Sequence, residues 1–336
     1  MYNNRNESMP IGGEGLKTVR IRSKEDLFRM KDPENAFGRV TALGFFDGVH
    51  IAHRELIKRA KAIADGLGLV LSVFTFSAEG GIKSNSARLY SDEDKLAILS
   101  ECGANEAFLC DFSAVSELSP KEFAQSILIE ALNTEVAVCG YNFRFGKGAR
   151  ASSSDLSELM AAGGRRAEIV PEIRIEGKEI SSSRIRELLA SGKAGEAGEL
   201  LGEPYFASGT VERGKGIGEG LGIPTLNTPL PLGRFPLKRG VYASAVRLGG
   251  KVYAALSNVG NCPTFGERES HIETNVLGFS GNAYGENVRI YFLEYLRDEK
   301  VFDNEKELIK QINIDKSIAL KILEDEKWQE LGLKYQ

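Results

Sequence analysis

Only three histidines occur in the 336-residue chain, and two of them, His50 and His53, stand three apart in GFFDGVHIAH (Gly44 to His53). Side chains three apart share one face where a helix begins, so both imidazoles can address one ligand. A helix that opens directly after a strand leaves its first backbone N–H groups free and carries partial positive charge there, which suits phosphate. Neutral imidazoles can donate to phosphate oxygens, and a polyphosphate that raises their pKa turns them into cations. The competing reading is a pair of solvent-facing histidines at a helix start. A metal is the weaker alternative, because two histidines without a nearby third ligand do not make a zinc site.

Three other stretches carry chemistry-bearing types. SSSRIR, within ISSSRIRELLASG (Ile180 to Gly192), puts hydroxyls at a helix cap and arginines in the first turn. That is either an anion site or an ordinary capped helix with surface arginines. GTVERGKGIGEGLGIPTLN (Gly209 to Asn227) nearly spells a Walker A element at Gly209, Gly214 and Lys215. Gly216 stands where a Ser or Thr would hold Mg²⁺, and glycines and a proline follow in place of a helix, so the P-loop reading fails. What remains is a glycine loop whose amides can form an anion-binding nest. Thr225 and Asn227 then lie on one face if extended, as oxygen ligands for a hard cation or as a polar strand edge. Glu273, in HIETNV, is either an exposed face position or a placed general base. His271 beside it reads as structural.

The elements that must hold these residues divide the chain in two. From Arg39 to about Gly192, short β-branched runs alternate with helical periods, the pattern of βαβ units on a parallel sheet. Strands are expected at Val40 to Phe45, Leu69 to Phe76, Glu106 to Asp111, Glu135 to Gly140 and Ala167 to Ile173. Leu56, Ile57, Ala60, Ile63, Ala64 and Leu67 repeat at helical spacing. Ser119, Pro120 and Glu122 spell a helix start, as do Asn304 and Glu307 near the C-terminus. Beyond Glu203 and Pro204 the texture becomes strand alternation. VYASAVRL and KVYAALSN flank Gly249 and Gly250 as a type I′ hairpin. HIETNVLG and ENVRIYFLEYL form a second expected pair through FSGNAYG. The second half therefore reads as an antiparallel barrel or sandwich closed by one helix.

Composition narrows the partners. Forty-three Lys+Arg against 47 Asp+Glu give a net charge of −4, with no basic field for nucleic acid and no polybasic membrane patch. The four cysteines (Cys102, Cys110, Cys139, Cys262) lack CxxC spacing, as reduced cytosolic thiols do. Neither a targeting pattern nor a run of 18 apolar residues is present, so a cytoplasmic protein with a disordered N-terminus is expected.

GFFDGVHIAH resembles the G-x-F-D-G-V-H-x-G-H signature of the flavin adenylyltransferase branch of the nucleotidyltransferase superfamily. GYNFRFGKG (Gly140 to Gly148) and ISSSRIRELLASG resemble that branch's G-x-[DN]-F-x-F-G and I-S-S-T-x-I-R segments. GTVERGKGIGEGLGIPTLN resembles the G-x-V-x-x-G-x-x-x-G-R-x-x-G-F-P-T-A-N of riboflavin kinases. GVYAS (from Gly240), SNVGNCPTF (Ser257 to Phe265), IETNVLGFSGNAYG (Ile272 to Gly285), LRDEKVF (Leu296 to Phe302) and QINID (Gln311 to Asp315) continue it. The likeness covers nearly all of residues 17 to 325 and is to bacterial bifunctional riboflavin kinase/FAD synthetases. Departures are Phe45 for a common Asn, Ala52 for the glycine between the histidines, TFSAEGG (Thr75 to Gly81) for T-F-x-P-H-P, Glu219 for an arginine, Asn275 for a histidine and Gly278 for an aspartate.

That resemblance implies a fold, α/β then β: a Rossmann-like nucleotidyltransferase domain with a parallel sheet over 17–192, a linker over 193–203, and an antiparallel Greek-key barrel with a C-terminal helix over 204–336, preceded by a disordered 1–16. It implies that His50 and His53 are catalytic and hold ATP phosphates, that Ser182, Ser183, Arg186, Gly214 and Gly218 bind ATP phosphates, and that Asn142 and Arg297 bind flavin. Thr225 and Asn227 would hold Mg²⁺, and Glu273 would be the base. The implied substrates and products are ATP, riboflavin, FMN and FAD. A kinase with a degenerate N-terminal half is the alternative, and a flavin-binding regulatory protein is a third reading that the presence of Thr225, Asn227 and Glu273 opposes.

Overall fold

The computed structural model describes residues 15–30, 37–78, 87–213, 224–229, 235, 237–261 and 270–330. By packing, the chain forms two units, Met1–Asn85 with Ser91–Ile180, and Ser86–Tyr90 with Ser181–Gln336.

The first unit runs β1 (Lys17–Ile21), α1 (Lys24–Arg29), β2 (Arg39–Leu43), α2 (Ile51–Leu67), β3 (Val70–Phe76), α3 (Asp92–Glu101), β4 (Glu106–Cys110), α4 (Phe112–Val115) and α5 (Pro120–Glu122, continued in π-helical form over Phe123–Ala131). Then follow β5 (Thr134–Gly140), a short hairpin of β6 (Arg144–Phe145) and β7 (Ala151–Ser152), α6 (Ser153–Ala162), β8 (Arg166–Val170) and a second hairpin of β9 (Arg174–Ile175) and β10 (Lys178–Glu179). The main sheet has the order β1-β4-β3-β2-β5-β8, every ladder parallel. Its central strands are buried along their length, β2 and β4 at every residue, as a parallel sheet covered on both faces requires.

Five strands were expected and six are present. β1 is the addition, an edge strand whose mixed burial hides its pattern. α2 buries Leu56, Ile57, Ala60 and Ala64, while Leu67 at its last turn is exposed, outside the stripe expected for it. The Ser119 start is a full capping box, with Glu122 N–H donating to Ser119 Oγ and Ser119 N–H to the Glu122 carboxylate. Leu16, within the stretch expected to be disordered, packs on Leu96, Ala107 and Leu109.

In the second unit, α7 (Ser182–Ala190) and α8 (Ala194–Leu201) precede β11 (Phe206–Thr210), β12 (Leu226–Pro229), β13 (Gly240–Leu248), β14 (Lys251–Asn261), β15 (Ser270–Val276) and β16 (Asn287–Arg297), then α9 (Glu305–Leu323) and α10 (Glu326–Glu330). The sheet order is β11-β16-β13-β14-β15-β12, all antiparallel. Three consecutive strands, β13 to β15, with β16 returning beside β13, make the Greek key. Its open edges approach where Glu212 N–H donates to Asn227 O at 2.8 Å. Gly209 permits this, since a Cβ there would meet Thr228 Cγ2 at 2.5 Å. The Gly249–Gly250 hairpin forms as read, with φ of 56° and 79°. The pairing expected between HIETNVLG and ENVRIYFLEYL does not form: β15 pairs with β14 and β12, and β16 with β13 and β11.

Residues 193–203, expected as a linker, are largely α8, which buries Leu200 and Leu201. α7 and α8 pack on each other, and the second unit also holds Ala87–Tyr90. There the Tyr205 hydroxyl donates to Leu89 O at 2.9 Å, Arg186 Nε donates to Ala87 O at 3.1 Å, and the Tyr90 ring packs on Tyr205 and Phe206. The remaining expectations for 1–14, Glu79 to Gly81, Gly214, Gly218 and Cys262 fall outside the described residues.

Candidate active sites

β2 is the strand where the sheet order turns back: β3, β4 and β1 lie to one side of it, β5 and β8 to the other. Ligands of open α/β sheets bind at the carboxyl ends of strands at such a point. The loop leaving β2 is tightly wound, with positive φ at Phe46 (49°), Gly48 (85°) and Val49 (39°). Phe46 and Val49 are fully buried, and that packing holds two non-glycine residues in a backbone conformation costing about 1–3 kcal/mol each. Gly44 is needed at the entrance, where a Cβ would crowd the Phe46 ring at 3.1 Å.

His50 ends this turn as the N-cap of α2, with no side-chain capping bond and no acidic residue in the helix's first turn. The His50 and His53 rings stack at 3.6 Å and 13°, and Phe46 meets His53 edge-on at 5.2 Å. Burial lowers the His50 pKa to about 4. Burial, then the neighbouring His50, takes His53 well below its usual range. Both rings are therefore neutral at neutral pH. Their Nδ1 atoms are buried without a hydrogen-bond partner among the described residues, and the start of α2, with no acidic residue in its own first turn, adds partial positive charge beside them. An anionic ligand fits that combination.

Beyond β3, the Asp92 carboxylate at the start of α3 accepts from Ser77 Oγ (2.7 Å) and Ala78 N–H (3.0 Å) and pairs with Lys95. This fastens the beginning of the segment that departs from the T-F-x-P-H-P pattern. Asn142 lies exposed in the turn after β5, the strand next to β2, where Phe143 N–H closes on Gly140 O at 3.0 Å. Ser182, Ser183 and Arg186 lie on α7 of the second unit, capped by Ser181, whose Oγ accepts from Arg184 N–H.

In the barrel, strand register does what sequence distance conceals. Asn227 on β12 is directly opposite Glu273 on β15, Glu273 is opposite Asn258 on β14, Asn258 is opposite Val241 on β13, and Val241 is opposite Arg297 on β16. Directly opposed residues share a face. One row thus joins three of the expected site residues, with Thr225 two positions before Asn227 on the same side. Glu273 is exposed, Asn227 buried and Thr225 half-buried. Hydroxyls alternate onto the other face, where Ser244, Ser257 and Thr274 bond in series at 2.8 and 2.9 Å.

Arg297 is committed within its own unit: Asp315 Oδ2 accepts from Nε at 3.0 Å and pairs with Nη2 at 2.9 Å, while Gln311 donates to the other Asp315 oxygen. LRDEKVF and QINID are thereby tied together across β16 and α9. Sequence reasoning passed over Asn258 and named Asn275 only as a departure from a histidine; both flank Glu273 on its face. The readable signal was the two-residue step from Glu273 to Asn275; the approach of Asn258 depends on register alone.

Family models described as FAD synthetase and Riboflavin kinase match residues 32–184 and 201–323. A Bacillus subtilis protein named bifunctional riboflavin kinase/FMN adenylyltransferase is 33% identical over 315 residues, covering 91% of this chain and 98% of the relative. Its Listeria monocytogenes namesake is 34% identical, covering 82% and 90%. A crystal structure described as a macrolide-efflux protein from Streptococcus pneumoniae superposes with TM-score 0.78 at 30% identity, covering 90% of this chain and 98% of that one.

Proposed function

Since the chain belongs to the family of bifunctional riboflavin kinase/FMN adenylyltransferases, we propose that its barrel half phosphorylates riboflavin to FMN and its parallel-sheet half adenylylates FMN to FAD, each with MgATP. The observation that carries the kinase reading is the direct opposition of Asn227 and Glu273. Glu273 accepts the proton of the terminal flavin hydroxyl as its oxygen bonds to the γ-phosphorus of ATP; the bond to the β–γ bridging oxygen breaks, and ADP leaves. Thr225 and Asn227 supply neutral oxygens on one side of β12, donors that suit Mg²⁺, and among the described residues no cluster of His, Cys, Asp or Glu competes for it. Bound there, the ion would neutralise phosphate charge. The motif resemblance assigns the same phosphates to Gly214 and Gly218, which lie outside the described residues, and the flavin to Arg297, which Asp315 holds.

In the other half, a phosphate oxygen of FMN attacks the α-phosphorus of ATP and pyrophosphate leaves. His50 and His53 donate to phosphate oxygens and become better donors as the polyphosphate raises their pKa. The motif resemblance assigns further phosphate oxygens to Ser182, Ser183 and Arg186, and the placing of FMN to Asn142. The stacked histidines favour this bifunctional reading over a degenerate N-terminal half. The substrates are small molecules of the cytoplasm, and a net charge of −4 gives nucleic acid no field to follow. No described helix is long and apolar enough to cross a membrane.

The test is chromatographic separation of products after incubating the purified protein with riboflavin and MgATP. FMN and FAD are both expected. FMN alone selects the monofunctional kinase, and neither product overturns both assignments.

A further inference from the structure

Two side-chain oxygens beside Glu273 stand out by what they lack. Asn258 Oδ1 and Asn275 Oδ1 are buried and have no hydrogen-bond partner among the described residues. Their assignment as oxygens is fixed chemically. Asn275 Nδ2 donates to Pro224 O at 2.8 Å, and Asn258 Nδ2 donates to Glu299 Oε1 at 3.1 Å. A carbonyl and a carboxylate can only accept, so in each amide the nitrogen is pinned and the oxygen is the atom left over. A buried acceptor without a donor destabilises the site, and a donor arriving with a ligand removes that cost.

The two asparagines occupy one face. Asn258 is directly opposite Glu273, and Asn275 lies two residues beyond Glu273 on the same strand, a diagonal pair with Cβ atoms about 7–8 Å apart or somewhat less. Asn275 is 8% exposed and opposite Leu256, which belongs to the apolar seam that α9 closes with Ala319. Glu273 between them is exposed. The arrangement is an accepting base flanked by two amides whose nitrogens are engaged and whose oxygens are left open to a donor. It matches a ligand that brings several hydroxyl donors in succession, the last of which is to lose its proton.

Resting on the kinase reading above, we propose that Asn258 and Asn275 accept hydrogen bonds from the inner hydroxyls of the flavin's polyol chain and so steer its terminal hydroxyl to Glu273. They are specificity residues for the polyol. A site built to bond a hydroxyl discriminates against the analogue lacking it far more strongly than an apolar pocket does.

The experiment compares riboflavin with a flavin whose N10 chain is 5-hydroxypentyl, which keeps the terminal hydroxyl and lacks the inner ones, at saturating MgATP. The unsubstituted protein is expected to prefer riboflavin in kcat/KM by about 10² or more, the sum of two lost bonds to buried acceptors. Asn258→Leu and Asn275→Leu should each erase at least about tenfold of that preference, mostly through riboflavin, with the hydroxypentyl flavin changed less than about threefold. Asn258→Ser and Asn275→Ser keep a small polar side chain and serve if the leucine variants fail to fold; they are expected to lose part of the preference. Equal kcat/KM for the two flavins in the unsubstituted protein overturns the proposal without any variant. So does an equal loss for both flavins in the variants, which would make the asparagines structural. A raised Mg²⁺ requirement with unchanged preference overturns it in favour of metal binding. Failure to phosphorylate either flavin would instead refute the kinase reading.

Discussion

The two sites are built on opposite principles. The one after β2 is local: ten consecutive residues, Gly44 to His53, contain its strained turn, its N-cap and its stacked rings. The one on the barrel has no local existence, because Asn227, Asn258, Glu273 and Arg297 fall in one row only when five strands pair in register. Every described non-glycine residue with positive φ lies in the first unit. Positional accuracy comes from buried packing under a strained loop in one case and from a regular ladder in the other. The first site should therefore be sensitive to what lies beneath its loop, and the second to anything that shifts a strand.

The strongest way to separate them is Glu273→Gln, which should lower riboflavin phosphorylation by about 10² or more while leaving FMN adenylylation unchanged. An unimpaired kinase would place the base elsewhere. The mirror experiment, His53→Ala, should cut FAD formation from FMN by about 10²–10³, the size of one lost donor to developing charge, with kinase activity retained as the control for folding. Loss of both activities together would deny the independence of the sites.

The next test concerns the division itself. A fragment beginning at Glu203 discards α8, with Leu200 and Leu201 buried, so it should melt below one beginning at Ser181 by an amount equivalent to a few kcal/mol, about the cost of emptying buried leucine sites. Equal melting temperatures would restore the boundary near residue 203.

A smaller effect follows from protonation. Native His50 has its pKa lowered to about 4 from the ordinary 6.5, so between those values the unfolded chain binds a proton that the native state refuses. Stability should fall as pH drops from 6.5 to 4, by up to about 1.4 kcal/mol per unit and roughly 3 kcal/mol in all, and His53 acts with the same sign. Denaturant unfolding of His50→Gln at pH 7 and pH 4.5 should show a flatter dependence than the unsubstituted protein; parallel curves would mean that the ring is solvated. Smallest is Ala52→Gly in the first turn of α2, expected to tighten ATP binding at the first site by at most about tenfold if its methyl crowds the nucleotide, as isothermal titration would register.

Much of the parallel sheet was readable because each strand is a short buried run whose evidence is its own residues. β1 escaped: KTVRI is an edge strand with only Ile21 fully buried. The pairing of the barrel was less legible. HIETNVLG and ENVRIYFLEYL look like consecutive hairpin arms, yet their partners are set by the closure of six strands, a non-local condition. The histidine pair was visible from its spacing, but the depth that holds both rings neutral depends on Phe46 and on the turn around it. Glu273 and Asn227 were found through motif resemblance. Asn258 sat unnoticed inside SNVGNCPTF, since nothing in its neighbours announces which residue will lie across from it.

The segment Ala87–Tyr90 imposes an order in time. Its ring partners, Tyr205 and Phe206, are more than a hundred residues further along the chain. At 5–20 residues per second the ribosome releases Tyr90 on the order of ten seconds before they emerge. During that interval the growing chain must keep an aromatic side chain and the Leu89 carbonyl in water, with their eventual partners still unmade. Completion of the second unit is thus a post-dated event in synthesis, and a chain released early in the barrel would carry this strip unsheltered, open to association with other chains.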